Sequence, residues 1–321
     1  MIRSYRVEEG RCACAEAAEG IEAAPSAAWI DLLEPTHDEE RAIEGVTGAN
    51  VPTPEEMAEI EASSRLYLAD GVAIMTAPLL IKSAGPYPET TDVTFVLTER
   101  HLVTVRYAEP TAFETFAALV ARTPQICAGP EQAFAGLVDA IADRLADVLE
   151  EAGRQLDALS RAVFSPDEKP SRDFHLQMQT LGRNGDIVSK ARESLVGIAR
   201  MVGFAREIEQ VRHSKAVEHK LRTVARDVEV LREHAGSLAS KTSFLLEALL
   251  GMINIEQNAM IKIFSVVAVM FLPPTLIASA YGMNFEHMPE LGWPLAYPVA
   301  LAAMALSMVL PYLYFRRRGW I

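Results

Sequence analysis

The 321-residue sequence predicts an α+β membrane protein, in which an α/β domain precedes long helices and two transmembrane helices. Three observations predict this fold class. Strand-like alternation fills the first part of the chain, a heptad repeat begins near residue 221, and two long charge-free stretches lie near the C-terminus. The length is sufficient for two domains.

Residues 1–130 are predicted to form the α/β domain, on the cytoplasmic side of a membrane. Three stretches mix alternating apolar and β-branched residues as half-buried strands do: AAWIDLLEP, LYLADGVAIMTAPLLI and TDVTFVLTERHLVTVRYAEP. Thr98, Glu99 and Arg100 separate two apolar runs of the last stretch, so a hairpin is expected there.

Two short helices are expected between the first two of these stretches. Thr36 is followed by Glu39 and Thr53 by Glu56, and this spacing is typical of a capping box at a helix N-terminus. Pro54 stands at the first helical position, where its missing N–H costs no hydrogen bond.

The formal net charge is −13, and nearly all of the acidic surplus lies before residue 131. Such a surface repels nucleic acid and attracts cations, and a merely solubilising surface explains it equally well. Cys12, Cys14 and Cys127 are interpreted as free thiols, because a single C-x-C pair is a poor zinc signal. The N-terminal MIRSYRVEEG lacks the apolar stretch of a signal peptide, so this part of the chain is expected in the cytoplasm.

Residues 131–212 are rich in Ala, Leu, Glu and Arg and are predicted to form a helical hairpin region. Pro166 and Pro170 interrupt it. One helix is therefore expected to end near Phe164 and the next to begin near Ser171.

Residues 213–262 are predicted to form a long stalk helix. Its apolar positions alternate by three and four residues, which is the a/d pattern of a coiled coil. The repeat comprises Leu221, Val224, Val228, Leu231, Ala235, Leu238, Thr242, Leu245, Leu249 and Met252. Such a seam suits packing against the two preceding helices of the same chain, and it equally suits a bundle of identical helices.

Two charge-free stretches, of about 23 and about 25 residues, are each long enough to cross a hydrocarbon core of about 30 Å. Residues 263–285 and 291–315 are therefore predicted to be transmembrane helices, joined by an outer loop at 286–290. The tail at 316–321 begins with consecutive arginines, and positive charge favours the cytoplasmic side. Both termini are accordingly expected inside, with the protein in the cell membrane.

A hairpin of two helices encloses no aqueous path, so conduction would require several copies around an axis. One stripe of the first membrane helix mixes small polar and apolar residues within roughly a third of a turn. It comprises Asn258, Ser265, Leu272, Thr275 and Ser279. Pro273 and Pro274 are expected to bend this helix, with or without a functional role.

The tripeptide Gly282-Met283-Asn284 follows QNAMIKIFSVVAVMFLPPTLIASAY and precedes an acidic loop, and the chain ends in PYLYFRRRGWI. This combination, with WIDLLEPT and TDVTFVLTERHLVTVRYAEP nearer the N-terminus, closely resembles the CorA family of magnesium transporters. The resemblance implies a CorA-like, funnel-shaped homopentamer, in which the stalk helix continues as the pore-lining helix and the second helices form an outer ring. It also implies transport of Mg²⁺, and of cobalt as a similar hydrated ion, gated by cytoplasmic Mg²⁺.

The same resemblance implies particular site residues. Gly282, Met283 and Asn284 correspond to the selectivity motif. The pore-lining positions correspond to Asn258, Ile261, Phe264, Leu272 and Thr275. Ile261 and Phe264 differ from the methionine and leucine of one well-known branch, but they remain apolar and so preserve a hydrophobic gate.

Magnesium ions hold their waters tightly, and residues 263–285 contain no carboxylate that could replace them. The side-chain carbonyl of Asn284 can accept hydrogen bonds from the polarised waters of a hydrated ion, which makes it the predicted metal contact. Glu286 and Glu290 would raise the local cation concentration at the outer mouth. Gly282 is expected to let the backbone turn at the membrane surface.

Sensing of cytoplasmic Mg²⁺ would require carboxylates that repel one another until a divalent cation bridges them. Asp227 and Glu229 on the stalk are the candidate sensing residues. Further candidates in or near the α/β domain are Asp31, Glu89 and Asp92. Each of these is also explained as a solvated surface acid.

Other functions are weighed against magnesium transport. Transport of zinc or nickel is disfavoured because borderline-soft ions prefer His and Cys, and His287 alone lies in the loop. A membrane-anchored metal sensor without flux would use the hairpin as a tether. An enzyme is not expected, because the sequence has no glycine-rich phosphate loop, HExxH or GxSxG motif. The expected partners are other copies of the chain, the lipid bilayer and divalent cations, without nucleic acid or an organic cofactor.

Overall fold

The computed structural model describes residues 1–8, 11–164, 174–284 and 288–320. It comprises two compact units, Met1–Leu246 and Glu247–Ile321, and the division falls within one long helix. The first unit contains the sheet and most of the helices, and the second contains the C-terminal apolar helices.

A seven-stranded sheet organises the first unit. Its strands are β1 Ile2–Glu8, β2 Arg11–Glu16, β3 Trp29–Leu33, β4 Leu66–Ala69, β5 Val72–Ile81, β6 Glu89–Leu97 and β7 Leu102–Arg106. Their spatial order is β2-β1-β3-β7-β6-β5-β4, with β3 and β7 parallel and the other neighbours antiparallel. β6 and β7 form the expected hairpin, in which Thr98 Oγ1 accepts hydrogen bonds from the N–H groups of Arg100 and His101.

Ten α-helices occur in the described residues. They are α1 Ala17–Ala23, α2 His37–Thr47, α3 Pro54–Met57, α4 Ala62–Arg65, α5 Thr111–Arg122, α6 Pro130–Phe164, α7 Phe174–Ala205, α8 Glu209–His213, α9 Lys215–Tyr281 and α10 Ala296–Arg317. Short 3₁₀ turns lie at Ala24–Ser26, Pro124–Cys127 and Pro289–Gly292. The predicted helix end at Phe164 is confirmed, whereas the expected start near Ser171 lies outside the described residues.

Both predicted capping boxes are confirmed. The Thr36 hydroxyl accepts from the N–H of Glu39, and the Glu39 carboxylate accepts from the N–H of Thr36 at 2.8 Å. Thr53 and Glu56 repeat this arrangement, with the return hydrogen bond at 2.9 Å. The starts of α2 and α3 are therefore determined by local sequence.

Two features of the sheet differ from the expectation. β1 and β2 form an N-terminal hairpin that was not predicted, because its buried residues Ile2 and Tyr5 are three residues apart and each is followed by an arginine. The stretch LYLADGVAIMTAPLLI contains two antiparallel strands, β4 and β5. Asp70 and Gly71 separate them with positive φ angles of 52° and 82°, as in a tight hairpin turn.

Helices cover both faces of the sheet, since successive residues of a central strand point to opposite sides. On one face, Ile30 of β3 joins a buried cluster with Ile43 of α2. On the other face, the ring of Trp29 stacks on Tyr5 with centroids 4.2 Å apart and meets Phe116 of α5 at 5.2 Å. This burial on both faces explains why β3 has no exposed residue.

The heptad seam packs inside its own chain within residues 221–245. A Cβ added to Gly153 of α6 would lie 3.6 Å from Leu238, and one added to Gly185 of α7 would lie 3.2 Å from Thr242. The absence of these side chains lets α9 approach both helices closely. Packing against the two preceding helices is therefore confirmed for the first unit.

The long helix α9 has no break where the predicted stalk meets the predicted membrane helix, at residue 262. Pro273 and Pro274 lie inside it and do not end it. The segment boundaries assigned from the sequence consequently stay predictions.

Candidate functional site

The second unit holds long apolar surfaces that the chain itself does not bury. α9 and α10 are the two described helices that are long and apolar enough to cross a membrane, and 6 % of the most apolar stretch of each is buried. Phe264 is 72 % exposed and Leu272 is 69 % exposed. Apolar surface of this extent needs a covering that water does not provide, either lipid or further protein.

Contacts at both ends of α10 show which side of α9 it follows within this unit. At one end the ammonium group of Lys262 lies 5.9 Å from the centroid of the Trp320 ring. At the other end, Tyr281 of α9 lines a cavity of about 430 Å³ together with Tyr297 of α10. Between these ends, Val266 is buried. α10 therefore lies along the side of α9 that carries Lys262, Val266 and Tyr281.

The five predicted pore-lining residues lie on the other side of α9. At about 100° per residue they fall within roughly a third of a turn, an arc that does not include Lys262, Val266 or Tyr281. All five are exposed: Asn258, Ile261, Phe264, Leu272 and Thr275. The structure thus brings the predicted residues together on one face and leaves that face uncovered within the unit.

The two prolines remove backbone hydrogen bonds from the middle of the apolar part of α9. Because Pro273 and Pro274 have no N–H, the carbonyls of Val269 and Met270 lose their usual helical donors. The hydroxyl of Thr275 donates to the Phe271 carbonyl at 2.7 Å. Its proton is therefore engaged within the helix, and its oxygen remains able to accept hydrogen bonds from water.

The predicted selectivity motif follows the end of α9. The N–H of Gly282 donates to the carbonyls of Ala278 and Ser279, at 3.0 and 3.2 Å. A Cβ on Gly282 would lie 3.2 Å from the Ala278 oxygen, so close approach to this carbonyl favours glycine. The backbone does turn at Gly282, without a positive φ angle, and the expected role of this glycine stays a prediction.

Asn284 does not serve as the cap of α9. The helix ends through the backbone of Gly282, and Asn284 lies two residues further on with an exposed side chain. Within the described residues its amide forms no hydrogen bond. Met283 is 51 % exposed. The motif therefore presents an exposed amide beyond the helix end, with no hydrogen bond to any described residue, where an ion could meet it.

The predicted outer-loop acids fall in the least described part of the chain. Glu286 and His287 lie outside the described residues. Glu290 belongs to the 3₁₀ turn Pro289–Gly292, which precedes α10. Their assigned role, raising the cation concentration, stays a prediction.

All three further sensing candidates, in or near the α/β domain, have basic partners that the sequence did not reveal. Asp31 is 2 % exposed, and its carboxylate accepts two hydrogen bonds from the Arg106 guanidinium at 3.0 and 2.8 Å. Thr104 Oγ1 donates to the same carboxylate at 2.8 Å. Because Asp31 is buried and its oxygens are occupied, it is a structural residue of the sheet and is excluded as a cytoplasmic metal sensor.

The two other candidates of the α/β domain are ion-paired at its surface. Asp92 accepts from Arg65 at 3.0 Å, and Glu89 accepts from Lys82 at 2.7 Å. Pairing with a cation lowers the repulsion that a divalent ion would relieve, so the two acids are poor sensing candidates in this arrangement.

One of the two stalk acids, Asp227, lies beside a row of acids that sequence reasoning missed. Asp139, Asp143 and Asp147 follow one another at four-residue spacing on α6. Partial burial raises the pKa of Asp143, and the charges of Asp139, Asp147 and Asp227 raise it further. Asp227 therefore faces carboxylates of its own chain. The i, i+4 spacing was visible in the sequence and could have identified this row.

Two ion pairs partly neutralise these acids, one in the row of α6 and one on the stalk. Lys220 forms an ion pair with Asp139 at 3.1 Å, and Arg232 pairs with Glu229 at 3.0 Å. Among the described residues, no group of three His, Cys, Asp or Glu side chains is arranged to hold a metal ion. The described part of a single chain consequently contains a repulsive acidic row but no assembled metal site.

Comparison with known proteins gives a consistent result. A family model described as CorA-like Mg²⁺ transporter protein matches residues 25–317. The magnesium transport protein CorA of Escherichia coli (strain K12) is 35 % identical over 321 residues, which is 100 % of both chains. The protein of the same name from Yersinia pseudotuberculosis serotype I is 34 % identical with the same coverage.

A solved structure shares the fold. The CorA magnesium transporter from Methanocaldococcus jannaschii superposes with a TM-score of 0.73 at 16 % sequence identity, covering 100 % of this chain and 99 % of the other. The predicted fold class, an N-terminal α/β domain followed by a long helix and two candidate transmembrane helices, is therefore confirmed.

Proposed function

The chain belongs to the CorA-like Mg²⁺ transporter family, whose members are membrane-embedded ion transporters and not enzymes, and we propose that it forms a pore for hydrated Mg²⁺ from five copies. Both termini would lie in the cytoplasm and the loop at 286–290 outside the cell membrane. The family assignment supports magnesium as the cargo. The pentamer and the orientation are parts of the proposal.

The observation that carries this proposal is the uncovered face of α9. Its predicted pore-lining residues point away from α10, and the exposed amide of Asn284 follows beyond the end of the helix. A face that mixes Asn258 and Thr275 with large apolar residues suits neither lipid nor a dry core. It suits a water-filled axis surrounded by copies of itself.

Asn284 selects the ion through its waters. Mg²⁺ loses its hydration shell reluctantly, whereas a ring of amide oxygens can accept hydrogen bonds from that shell without removing it. A neutral ring also avoids trapping a divalent cation, which a ring of carboxylates would hold strongly. Glu286 and Glu290 concentrate cations at the entrance.

The apolar residues below form the gate. Leu272, Phe264 and Ile261 are exposed apolar side chains on the pore-facing arc. A narrow apolar ring excludes water and therefore blocks a hydrated ion without any mechanical plug. A small increase in the distance between the helices would widen this ring and let water enter it.

Cytoplasmic Mg²⁺ regulates the gate in this proposal. Asp227 lies near the acidic row of α6, where repulsion favours a shared divalent cation, and Glu229 is the second sensing residue of the proposal. Bridging between neighbouring copies would hold the stalks in the closed arrangement, and loss of Mg²⁺ would release them.

Purified protein in sealed vesicles tests the function. We expect uptake of Mg²⁺, competition by Co²⁺, and weaker competition by Ni²⁺ and Zn²⁺, because the residues 263–285 contain no His or Cys. Vesicles without protein are the control. Binding of Mg²⁺ without flux would contradict the proposal and favour a membrane-anchored sensor, and preferential Zn²⁺ or Ni²⁺ uptake would reassign the cargo.

A further inference from the structure

A cavity of about 370 Å³ opens in the first unit, remote in sequence from the ion pathway. One wall is the loop between β5 and β6, through Ser83 and Ala84. The other walls are α6 and α7, which contribute Arg144 and Arg183 among others. The volume lies in the range of small-molecule sites.

Two guanidinium groups line this cavity without a carboxylate partner. Arg183 donates through Nε and Nη2 to the loop carbonyls of Ser83, Ala84 and Gly85, which leaves its Nη1 group for a ligand. Arg144 has one long hydrogen bond, at 3.4 Å, to the Ser83 hydroxyl. Neither arginine forms an ion pair with a described residue, although the chain carries a net charge of −13.

A buried acceptor lies in the same lining. Asn184 is 1 % exposed, and its Nδ2 donates to the Thr180 carbonyl at 2.9 Å, which fixes the orientation of the amide. Its Oδ1 has no hydrogen-bond donor among the described residues. A buried acceptor without a donor is unfavourable, so this oxygen favours a ligand that can donate to it.

The remaining lining is partly apolar and extends into a neighbouring space. Val148, Ala152 and Ile187 provide apolar contacts. Asp147 and Glu151 provide carboxylate acceptors, and Glu151 is already paired with Arg154. An adjoining cavity of about 100 Å³ shares Arg144 and Val148 and is otherwise mainly apolar. An inorganic anion would satisfy the arginines and leave most of this space empty.

We propose that this cavity binds a nucleotide, with its phosphates on Arg144 and Arg183. Guanidinium groups match phosphate oxygens in geometry and charge. The hydroxyl or amino groups of the nucleoside would donate to Asn184 and Asp147, while its carbon framework covers the apolar residues. Occupancy would link the β5–β6 loop to α6 and α7, because the walls belong to all three.

Binding to the purified full-length protein tests the proposal. We expect saturable binding of ATP by calorimetry, weaker binding of inorganic triphosphate, and the weakest binding of adenosine. Arg144→Gln should weaken ATP binding by about tenfold or more, since it removes charge-assisted hydrogen bonds. Arg222→Gln is the matched control, because Arg222 pairs with Glu218 on the exposed side of α9 and neither residue lines the cavity.

Stability supplies a second readout that distinguishes lost binding from misfolding. ATP should raise the melting temperature of the parent protein and of Arg222→Gln, and should leave that of folded Arg144→Gln nearly unchanged. Equal ATP affinity in the two variants would overturn the assignment of the phosphate site. Absence of ATP binding to the parent protein, or triphosphate binding as tight as ATP, would overturn the nucleotide assignment.

Discussion

The two units of the chain differ in how far their own contacts bury their apolar side chains. In Met1–Leu246 large apolar side chains are buried, and the buried charges of Asp31 and Arg106 satisfy each other. In Glu247–Ile321 most of the large apolar side chains are exposed. The first unit is therefore specified by its own contacts, whereas the second leaves apolar surface that needs lipid or further protein to cover it.

The largest expected effect on stability tests the self-contained first unit. Arg106→Met leaves the Asp31 carboxylate buried without its cation, which should cost about 3–5 kcal/mol in the free energy of unfolding. Thermal and urea unfolding of the solubilised protein measure it. Arg222→Met is the control, because its ion pair with Glu218 is at the surface and contributes less than about 1 kcal/mol.

A double variant sharpens this point. Replacing both partners, as Asp31→Leu with Arg106→Met, should recover part of the lost stability, because no uncompensated charge remains. Equal stability of Arg106→Met and the parent protein would show that the core of the first unit does not depend on this pair.

Close helix packing gives the next largest effect. A Cβ added to Gly197 of α7 would lie 2.7 Å from Pro78 of β5, so Gly197→Ala should destabilise the first unit by about 1–3 kcal/mol. Gly203 on the same helix has open space, and Gly203→Ala should stabilise by up to about 1 kcal/mol through helix propensity. Unfolding curves that move in the same direction for both variants would contradict the packing.

A substitution in the predicted gate of the second unit should change Mg²⁺ flux and leave the stability of the fold unchanged. Leu272→Asn places a polar group in the apolar gate, so basal Mg²⁺ flux should rise on the order of severalfold through easier wetting. Its melting temperature should stay close to that of the parent protein, because Leu272 is 69 % exposed in the chain. Vesicle flux at high internal Mg²⁺ measures the leak, and an unchanged leak would remove Leu272 from the gate.

The smallest expected effect concerns the acidic row. Burial and neighbouring acids raise the native pKa of Asp143, so the native carboxyl holds its proton more tightly than the unfolded one. The free energy of unfolding therefore falls as pH rises from the ordinary pKa of 3.8 to the raised pKa of the native Asp143 carboxyl. At higher pH it stays at this lower level. Asp143→Asn should remove this loss and stabilise the neutral protein by less than about 1 kcal/mol, because the site is largely exposed.

Millimolar Mg²⁺ should raise the melting temperature of the parent protein more than that of Asp143→Asn. Asp38→Asn, an exposed acid paired with Arg41, serves as the control. Identical Mg²⁺ responses in all three proteins would show that the row takes no part in sensing.

Local sequence signals predicted much of the fold. The capping boxes at Thr36 and Thr53 and the β6–β7 hairpin depend on neighbouring residues, so the sequence alone was sufficient. The β1–β2 hairpin was missed because the buried Ile2 and Tyr5, each followed by an arginine, are three residues apart and do not show the two-residue alternation of a strand. The turn at Asp70 was missed because one apolar stretch continued on both of its sides.

Contacts between distant residues could not be predicted in the same way. Asp31 was a sensing candidate as a carboxylate, and only the pairing of β3 with β7 revealed that Arg106 neutralises it. The stripe of α9 followed from helical pitch, whereas the side that α10 covers became visible only through Lys262 and Trp320. Long-range pairing, not local propensity, decided the roles of these residues.

The most direct test of the account is Mg²⁺ uptake by Asn284→Ala in vesicles. The variant should fold, assemble and elute like the parent protein, because the Asn284 side chain forms no hydrogen bond among the described residues. Ser307→Ala on α10, away from the predicted pore, is the matched control and should retain uptake. We predict that Asn284→Ala loses nearly all Mg²⁺ uptake, and uptake equal to that of Ser307→Ala would contradict the role of the amide ring.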